Sequence, residues 1–372
     1  NEKYSSFCSD TVLFLDIPER SENAAGGSEF AERITGYDLE KREIAIAEEI
    51  LTGNIPSFSR KMRKLVINKS IGSKEYELIL YAACDYMAIG SDSDYFYIPM
   101  TPSTAQYLAD RLDCSLPTKK IVDVIYREAE IKLYPQPIPP SDKMTTVPCF
   151  MQHSDSVKQQ IFHFGYDHSG LNIFAGHKKD IIISNKIYSN DRTFDRVVIY
   201  GWHRSVNDPI QPVYNGHIAA YADYSHGIRF LFNKVFLNGD STGLRDILQD
   251  NQLWPLLSSE GVIGKPYYPE SGFFSSIHSS QERNSSKFQL FQNYPNPFFS
   301  LTTIDYFIEE PSFVDLAVYS LTGRKIKTLA NGIRKQGRYS VMFHGSDLAN
   351  GIYFYRLTAN AFQKSMKMLI VR

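Results

Sequence analysis

From Phe288 to the C-terminus the sequence is cut into short alternating runs, and this pattern constrains the fold more than any other feature. Thr303 to Ile308 alternates apolar and polar residues, as do Val314 to Ser320, Arg338 to Phe343, Ile352 to Thr358 and Ser365 to Val371. Period-two alternation puts one face of each run in a core and the other in water. Turn pairs separate the runs at Thr322-Gly323, Gln336-Gly337 and Asn350-Gly351. Short strands with regular turns predict a small all-β, immunoglobulin-like sandwich over residues 288–372.

Residues 271–287 are rich in Ser, Gly and polar groups and read as a linker. Residues 1–270 are then a larger domain, long enough to bury a sizeable core. Ala24 to Ser28 reads as a loop. Asp38 suits the N-cap of a helix stopped by Gly53 and Pro56, although Lys41 stands where a capping box wants Glu. Strands are predicted at Lys64–Ile67, Tyr76–Ala82 and Tyr95–Ile98, with Gly90 to Asp94 as a turn. Thr101-Pro102 opens a helix to about Leu112, and Pro117-Thr118 opens another to about Leu133. Pro135, Pro137, Pro139, Pro140 and Pro148 predict an extended connection. Further strands are expected at Ile181–Ile187, Arg196–Trp202 and Ile228–Phe236, and a short helix at Thr242–Gln249. No internal repeat is visible. Mixed elements without regular βαβ alternation predict an α+β fold for this domain.

A net charge of -1 excludes general electrostatic attraction to nucleic acid or anionic membranes. The basic runs Lys61 to Lys64 and Lys178-Lys179 are too short to change that. No phosphate loop or dinucleotide fingerprint occurs. No stretch approaches about 20 apolar residues, so no transmembrane segment is expected. The chain begins at Asn1 without a basic-then-apolar start, so any signal peptide is expected to have been removed. Cys8, Cys84, Cys114 and Cys149 form no Cys-x-x-Cys pair. In an exported protein they allow up to two disulfides, and buried free thiols are the alternative. The 24 Tyr, 24 Phe and 2 Trp suit sugar-binding or peptide-binding clefts, but a β-rich protein accounts for them equally.

Histidine is distributed unevenly. His153, His163, His168, His177, His203, His217 and His226 crowd one stretch of the large domain. Several adjoin expected strands, whose ends hold side chains rigidly while exposing them. Three readings compete. In one, imidazoles with Asp180 or Asp223 are the acid–base groups of a hydrolase, because imidazole titrates near neutrality. Ser225 as nucleophile is weak here, since Asp-Tyr-Ser-His-Gly is not the Gly-x-Ser-x-Gly elbow. In another, two or three of His177, Asp180, His203, His217 and His226 hold a divalent metal such as zinc, although no His-Glu-x-x-His motif is present. In the third, the rings are structural. The cluster as a whole favours a functional site: His177, Asp180, His203 and His226 first, then His217, Tyr200, Asp223 and Ser225. Such a site requires these side chains to converge on the floor of one cleft. Gly90 to Asp94 lacks the calcium loop's terminal Glu and reads as a turn.

The segment Phe288-Gln-Leu-Phe-Gln-Asn-Tyr-Pro-Asn-Pro-Phe298 resembles the start of the type IX secretion system C-terminal sorting domain (type A). Val318 to Arg324, Gly337-Arg-Tyr339, Leu348 to Leu357 and the tail Lys367-Met-Leu-Ile-Val-Arg372 agree with that family. Phe299-Ser300 departs from it, since many members continue Asn-Pro. The resemblance implies export through the outer membrane by the type IX machinery, to the medium or the cell surface. Combined with the histidines, it leads to an expected secreted hydrolase of an extracellular polymer, either peptidoglycan, polysaccharide or protein. The competing expectation is a non-catalytic surface protein that binds glycan or peptide.

Overall fold

The computed structural model describes residues 13–191, 194–269, 288–293, 296–308, 310–321, 324–359 and 362–371. The chain divides into two units, Asn1–Phe274 and Ser275–Arg372. Helices and strands are mixed, and strands predominate. The expected linker, Cys8 and the Thr322-Gly323 turn lie outside the described residues.

The first unit opens with β1 (Leu13–Phe14), α1 (Gly27–Ile34) and α2 (Leu39–Leu51), followed by β2 (Lys61–Ile71) and β3 (Lys74–Ala83). Then come β4 (Ala88–Gly90), β5 (Tyr95–Tyr97), α3 (Pro102–Arg111), β6 (Cys114–Ser115), α4 (Lys119–Glu128) and β7 (Ile131–Lys132). The longest helix, α5 (Val147–His163), precedes β8 (Phe174–Ala175), β9 (Lys179–Ile181), β10 (Arg196–Ser205) and β11 (Asp208–Ile218). Last are β12 (His226–Gly227), β13 (Leu231–Phe232), β14 (Lys234–Leu237), β15 (Asp240–Gly243) and α6 (Leu244–Gln249). One sheet runs β1-β2-β3-β13-β6, with β14 also paired to β3 and β15 to β14. The second runs β11-β10-β9-β12.

Helix starts follow local chemistry. The Asp38 carboxylate accepts the Lys41 N–H at 2.8 Å, and Thr101 and Thr118 cap α3 and α4 through their hydroxyls. Fully buried Glu43 on α2 accepts from the Thr101 N–H and both Thr101 and Thr104 hydroxyls, which fixes α3 against α2.

Four expectations need correction. The helix from Lys119 stops at Glu128, not Leu133. Lys132 Nζ donates to the Arg127 and Ala129 carbonyls, and Ile131–Lys132 leave to pair in parallel with Phe174–Ala175. The proline-rich connection ends at Thr146. Pro148 lies in the first turn of α5, where its missing N–H costs nothing, so it marks a helix start. The expected strand Ile181–Ile187 ends at Ile181, because Ser184 caps a 3-10 turn over Asn185–Tyr188. Ile228–Phe236 is divided, because β13 lies between β3 and β6 whereas β14 pairs with β3 and β15. Helix α1 and strand β11 carried no sequence signal that the pattern reading used.

Among the described residues the second unit is built of β-strands. Its strands are β16 (Phe288–Leu290), β17 (Leu301–Ile308), β18 (Ser312–Ser320), β19 (Lys325–Arg334), β20 (Gly337–His344), β21 (Gly351–Ala359) and β22 (Phe362–Ile370). They form two antiparallel sheets, β16-β17-β20 and β19-β18-β21-β22. Ile304, Tyr306, Val314, Leu316, Tyr355 and Leu357 from both sheets share one buried cluster. In β17 burial alternates residue by residue, as the period-two pattern requires.

Candidate functional site

Strand β9 is the axis on which most of the singled-out residues meet. It pairs antiparallel with β10, placing Tyr200 opposite Asp180, and parallel with β12, placing His226 opposite Lys179. Gly227 is required there: a Cβ would lie 2.6 Å from the Tyr86 ring and 2.7 Å from Lys178 Cβ. Around this axis the side chains fall into three groups.

The first group is set by an irregularity in β10. The register shifts between Ile199 and Gly201 and again after His203. Trp202 has φ +60°, held by its N–H to the Lys178 carbonyl at 3.1 Å and its indole N–H to the His177 carbonyl at 3.2 Å. A non-glycine residue in the left-handed region is strained, and such strain gathers at functional sites. The bulge aims His203 at Asp123 on α4, with Nε2 3.3 Å from Oδ1. The same carboxylate accepts the Tyr200 hydroxyl at 2.5 Å and Lys119 Nζ at 2.7 Å. Tyr126 stacks on the His203 ring at 4.5 Å. Asp123 has a side chain 29% exposed, while that of His203 is 3% exposed.

Asp180 lies behind His203. A Cβ built on Gly201 would be 3.4 Å from Asp180 Oδ2 and 3.6 Å from His203 Nδ1, so carboxyl and imidazole flank one point. Asp180 Oδ2 accepts the Tyr86 hydroxyl at 2.8 Å, and Oδ1 is buried without a hydrogen-bond partner. Burial pushes the Asp180 carboxyl up to about 6, against the opposing pull of Arg229. Burial also acts upward on Asp123, but hydrogen bonds from His203, Lys119 and Tyr200 outweigh it and hold that carboxyl below its ordinary value.

The second group surrounds Asp85. Its carboxylate accepts the Tyr97 hydroxyl at 2.7 Å and the Tyr86 N–H at 2.7 Å. His168 Nε2 lies 2.9 Å from it and His177 Nε2 3.2 Å. Burial would raise this acid, but the two imidazoles and their hydrogen bonds hold it far below the carboxylate range. The His168 ring is sandwiched between Phe58 at 3.9 Å and Phe174 at 4.2 Å. His177 and Asp85 are sealed from solvent.

The third group occupies the turn before β12. Asp223 Oδ1 accepts both the Ser225 hydroxyl at 2.5 Å and the Ser225 N–H at 2.7 Å, so this serine is engaged in holding its own turn. His226 Nε2 is 3.9 Å from Asp223 Oδ2, and burial lowers that imidazole to about 4. His217 stacks on Tyr221 at 4.1 Å, and Tyr221 stands 5.9 Å from His226. Buried Lys178 donates to the Tyr224 carbonyl at 2.7 Å, and burial lowers its ammonium to about 7.

Asp180, Tyr200 and His203 are therefore brought together. His217, Asp223, Ser225 and His226 form a separate set, and His177 belongs to the Asp85 group. The eight do not share the floor of one cleft: His177, Asp180, Ser225 and His226 are at most 2% exposed. Among the described residues no three His, Cys, Asp or Glu side chains converge as metal ligands. Sequence reasoning missed Asp123 and Asp85. Asp123 sits on the amphipathic helix Lys119–Glu128, one turn after Lys119, and that spacing was the available signal. The acids of the Gly90 to Asp94 turn are used internally: Asp94 accepts the Ser28 N–H and hydroxyl, and Asp92 accepts the Ser57 N–H. Cys84, Cys114 and Cys149 are free, buried thiols.

Residues 292–372 match the family described as Secretion system C-terminal sorting domain. No curated protein matches the chain. A solved structure titled Polysaccharide Lyase is 8% identical, with a TM-score of 0.19, covering 83% of this chain and 34% of its own. Dimeric latent PorU from Porphyromonas gingivalis is 12% identical, with a TM-score of 0.21, covering 82% of this chain and 24% of its own. The chain thus spans about a third and a quarter of their lengths, and neither likeness carries an argument about fold or activity. The sorting domain marks the chain for type IX export across the outer membrane, to the surface or the medium. Among the described residues no helix is long and apolar enough to cross a membrane.

Proposed function

We propose that this type IX cargo is a hydrolase of an extracellular polymer, with its acid–base site at Asp123, His203 and Asp180. The observation that supports it is the line carboxyl–imidazole–carboxylate along the β10 bulge, whose two acids are driven in opposite directions. Two carboxyls held apart in this way are suited to separate acid and base duties. Asp123 is the ionised group that water reaches, so it is the base that activates a water molecule. His203, its ring fixed by Tyr126 and the bulge, orients Asp123 and carries protons between the two carboxyls. As the water oxygen bonds to the substrate its proton passes to Asp123. As the scissile bond breaks the leaving group takes a proton that Asp180, protonated on the acid side of about 6, supplies through the ring, and the proton on Asp123 returns by the same route to Asp180. Tyr200 and Lys119 keep Asp123 in place and charged. His217, His226 and Asp223 stand as a second, more enclosed group and have no part in this step.

In the second unit, two antiparallel sheets over one apolar core support an immunoglobulin-like sandwich as the module that the secretion machinery reads.

The test is hydrolysis of peptidoglycan, common polysaccharides and casein by the full chain. Asp123→Asn is expected to lose about 100- to 10,000-fold in kcat with little change in KM. His203→Gln should lose less and shift the acid limb of the pH profile. Full activity in Asp123→Asn, with unchanged circular dichroism, would end this assignment.

A further inference from the structure

We propose that the C-terminal end of α5 is a binding platform for an uncharged polysaccharide chain. An open groove of about 500 Å³ lies there, with Tyr134, Phe162 and Phe164 in its walls. These rings are 59%, 87% and 47% exposed, and Tyr166, 5.8 Å from Phe164, is 39% exposed. Aromatic side chains remove about 150–250 Å² from water when buried. Leaving a cluster of them outside is a feature that packing of this unit does not explain.

The rest of the lining selects the ligand. Ser156, Gln136 and Gln159 contribute hydroxyl and amide groups, and His163 an imidazole. Among the described residues no Lys, Arg, Asp or Glu lines the groove. A nucleic acid or anionic lipid surface would call for cations, and a charged peptide for its opposite charge. A neutral sugar chain offers what is matched here: apolar C–H faces for rings to stack on, and hydroxyls for amides to bind.

The platform is built, not incidental. Gln160 Nε2 donates to the Tyr134 carbonyl at 3.0 Å and its Oε1 accepts the Tyr134 N–H at 2.6 Å. That two-point clamp fixes the segment after β7 against α5, so Tyr134 is presented at a set position. Gln159, Phe162 and His163 follow helical spacing along one side of α5. Gly165, at φ +68°, turns the chain after α5 so that Phe164 and Tyr166 follow on the same rim. The platform also adjoins the acid–base site. Leu133 donates its N–H to the Ala175 carbonyl, next to the close approach of Gly176 to the His203 carbonyl. Tyr126, stacked on His203, feels the Tyr134 phenol. Calling the bound chain the substrate rests on the hydrolytic reading, whereas binding itself does not.

The experiment is affinity electrophoresis of the full chain through gels containing mixed-linkage β-glucan, xyloglucan or galactomannan, with polygalacturonate as the anionic comparison. Retardation is expected in at least one neutral gel, insensitive to added salt, and weakened about tenfold or more by Phe162→Ala or Tyr134→Ala. Asp123→Asn should be retarded like the unaltered chain, which separates loss of binding from loss of catalysis. The proposal is overturned by free passage through every neutral gel, by equal retardation of Phe162→Ala, or by retardation confined to polygalacturonate. Self-association on a sizing column that Phe162→Ala abolishes would equally overturn it, by making the patch an interface between copies.

Discussion

The two units solve the problem of buried polarity in opposite ways. In the first, Asp85, Asp180, Lys178, Arg229, His177 and His226 are all at most 2% exposed. In the second, the buried polar side chains among the described residues are Asn293, Thr302 and Ser312, none of them ionisable, and the core is apolar apart from its tyrosine hydroxyls. Withdrawing a charge from water costs several kcal/mol, and a buried ion pair seldom stabilises better than an apolar replacement. A unit built for stability alone has no reason to accept that cost. The sorting domain shows what such a unit looks like, and the first unit departs from it around β9 and β10, where the candidate chemistry lies.

The largest effect is expected where that contrast is strongest. Asp85→Ala removes the acceptor shared by Tyr97, His168 and the Tyr86 N–H and should cost about 3–5 kcal/mol. Trp202 and Trp254 are the two tryptophans of the chain, and both lie in the first unit, so their fluorescence in urea reports this unit. A loss below about 1 kcal/mol would mean that the Asp85 network is solvated in solution, and the contrast would fail. The counterpart in the second unit is Leu316→Ala, which opens a cavity in the shared core and should cost about 2–5 kcal/mol, read by faster hydrogen exchange in β18 and β21.

A pH series sharpens the comparison within the first unit. Asp180 has its folded carboxyl raised from 3.8 to about 6. Between those values the folded state holds more protons than the unfolded state, so this group's contribution to stability falls as pH rises through about 6. The full swing from about pH 4 to pH 7 is on the order of 3 kcal/mol. Asp85 is depressed, so its contribution is present above the unfolded value of 3.8 and is lost as pH falls below it. The two windows do not overlap. Asp180→Asn should therefore flatten the stability profile between about pH 4 and 6 and leave the acid limb in place. An unaltered slope would show that Asp180 is already ionised by water or a neighbour.

How much of this was legible depended on whether the determining contact was local. The Asp38, Thr101 and Thr118 caps and the alternation of β17 are decided by neighbours in sequence, and they were readable. Pro148 misled, because one residue type serves both an extended run and a helix start, and only the 17 residues of α5 distinguish them. Of the site, Tyr200, His203 and Asp180 were named, since strand ends and imidazoles are visible in the sequence. Asp123 and Asp85 were not, because their imidazole partners lie about 80 residues away, and the i,i+4 spacing of Lys119 and Asp123 by itself marks only an ordinary helix-surface pair. Burial was the other invisible quantity: Ser225 and His226 look reactive in a string of letters and are enclosed in the fold.

The smallest effect tests a polar contact that reaches into the second unit's core. The Tyr355 hydroxyl on β21 accepts the Asn293 N–H at 2.8 Å and donates to the Phe291 carbonyl at 2.8 Å. Burial pushes this phenol up to about 12, so it remains a neutral donor throughout the physiological range. The two bonds tie the segment after β16 to the opposite sheet, at the start of the matched sorting domain. Tyr355→Phe keeps the ring in the core and removes one partner from each backbone group, at a cost of about 1 kcal/mol. Exchange of the Asn293 amide should then quicken about fivefold, while amides in the middle of β18 change less. Equal quickening across β18 and β21 would instead mean that the hydroxyl supports the whole apolar core, and the contrast between a polar and an apolar way of building a unit would be narrower than burial alone indicates.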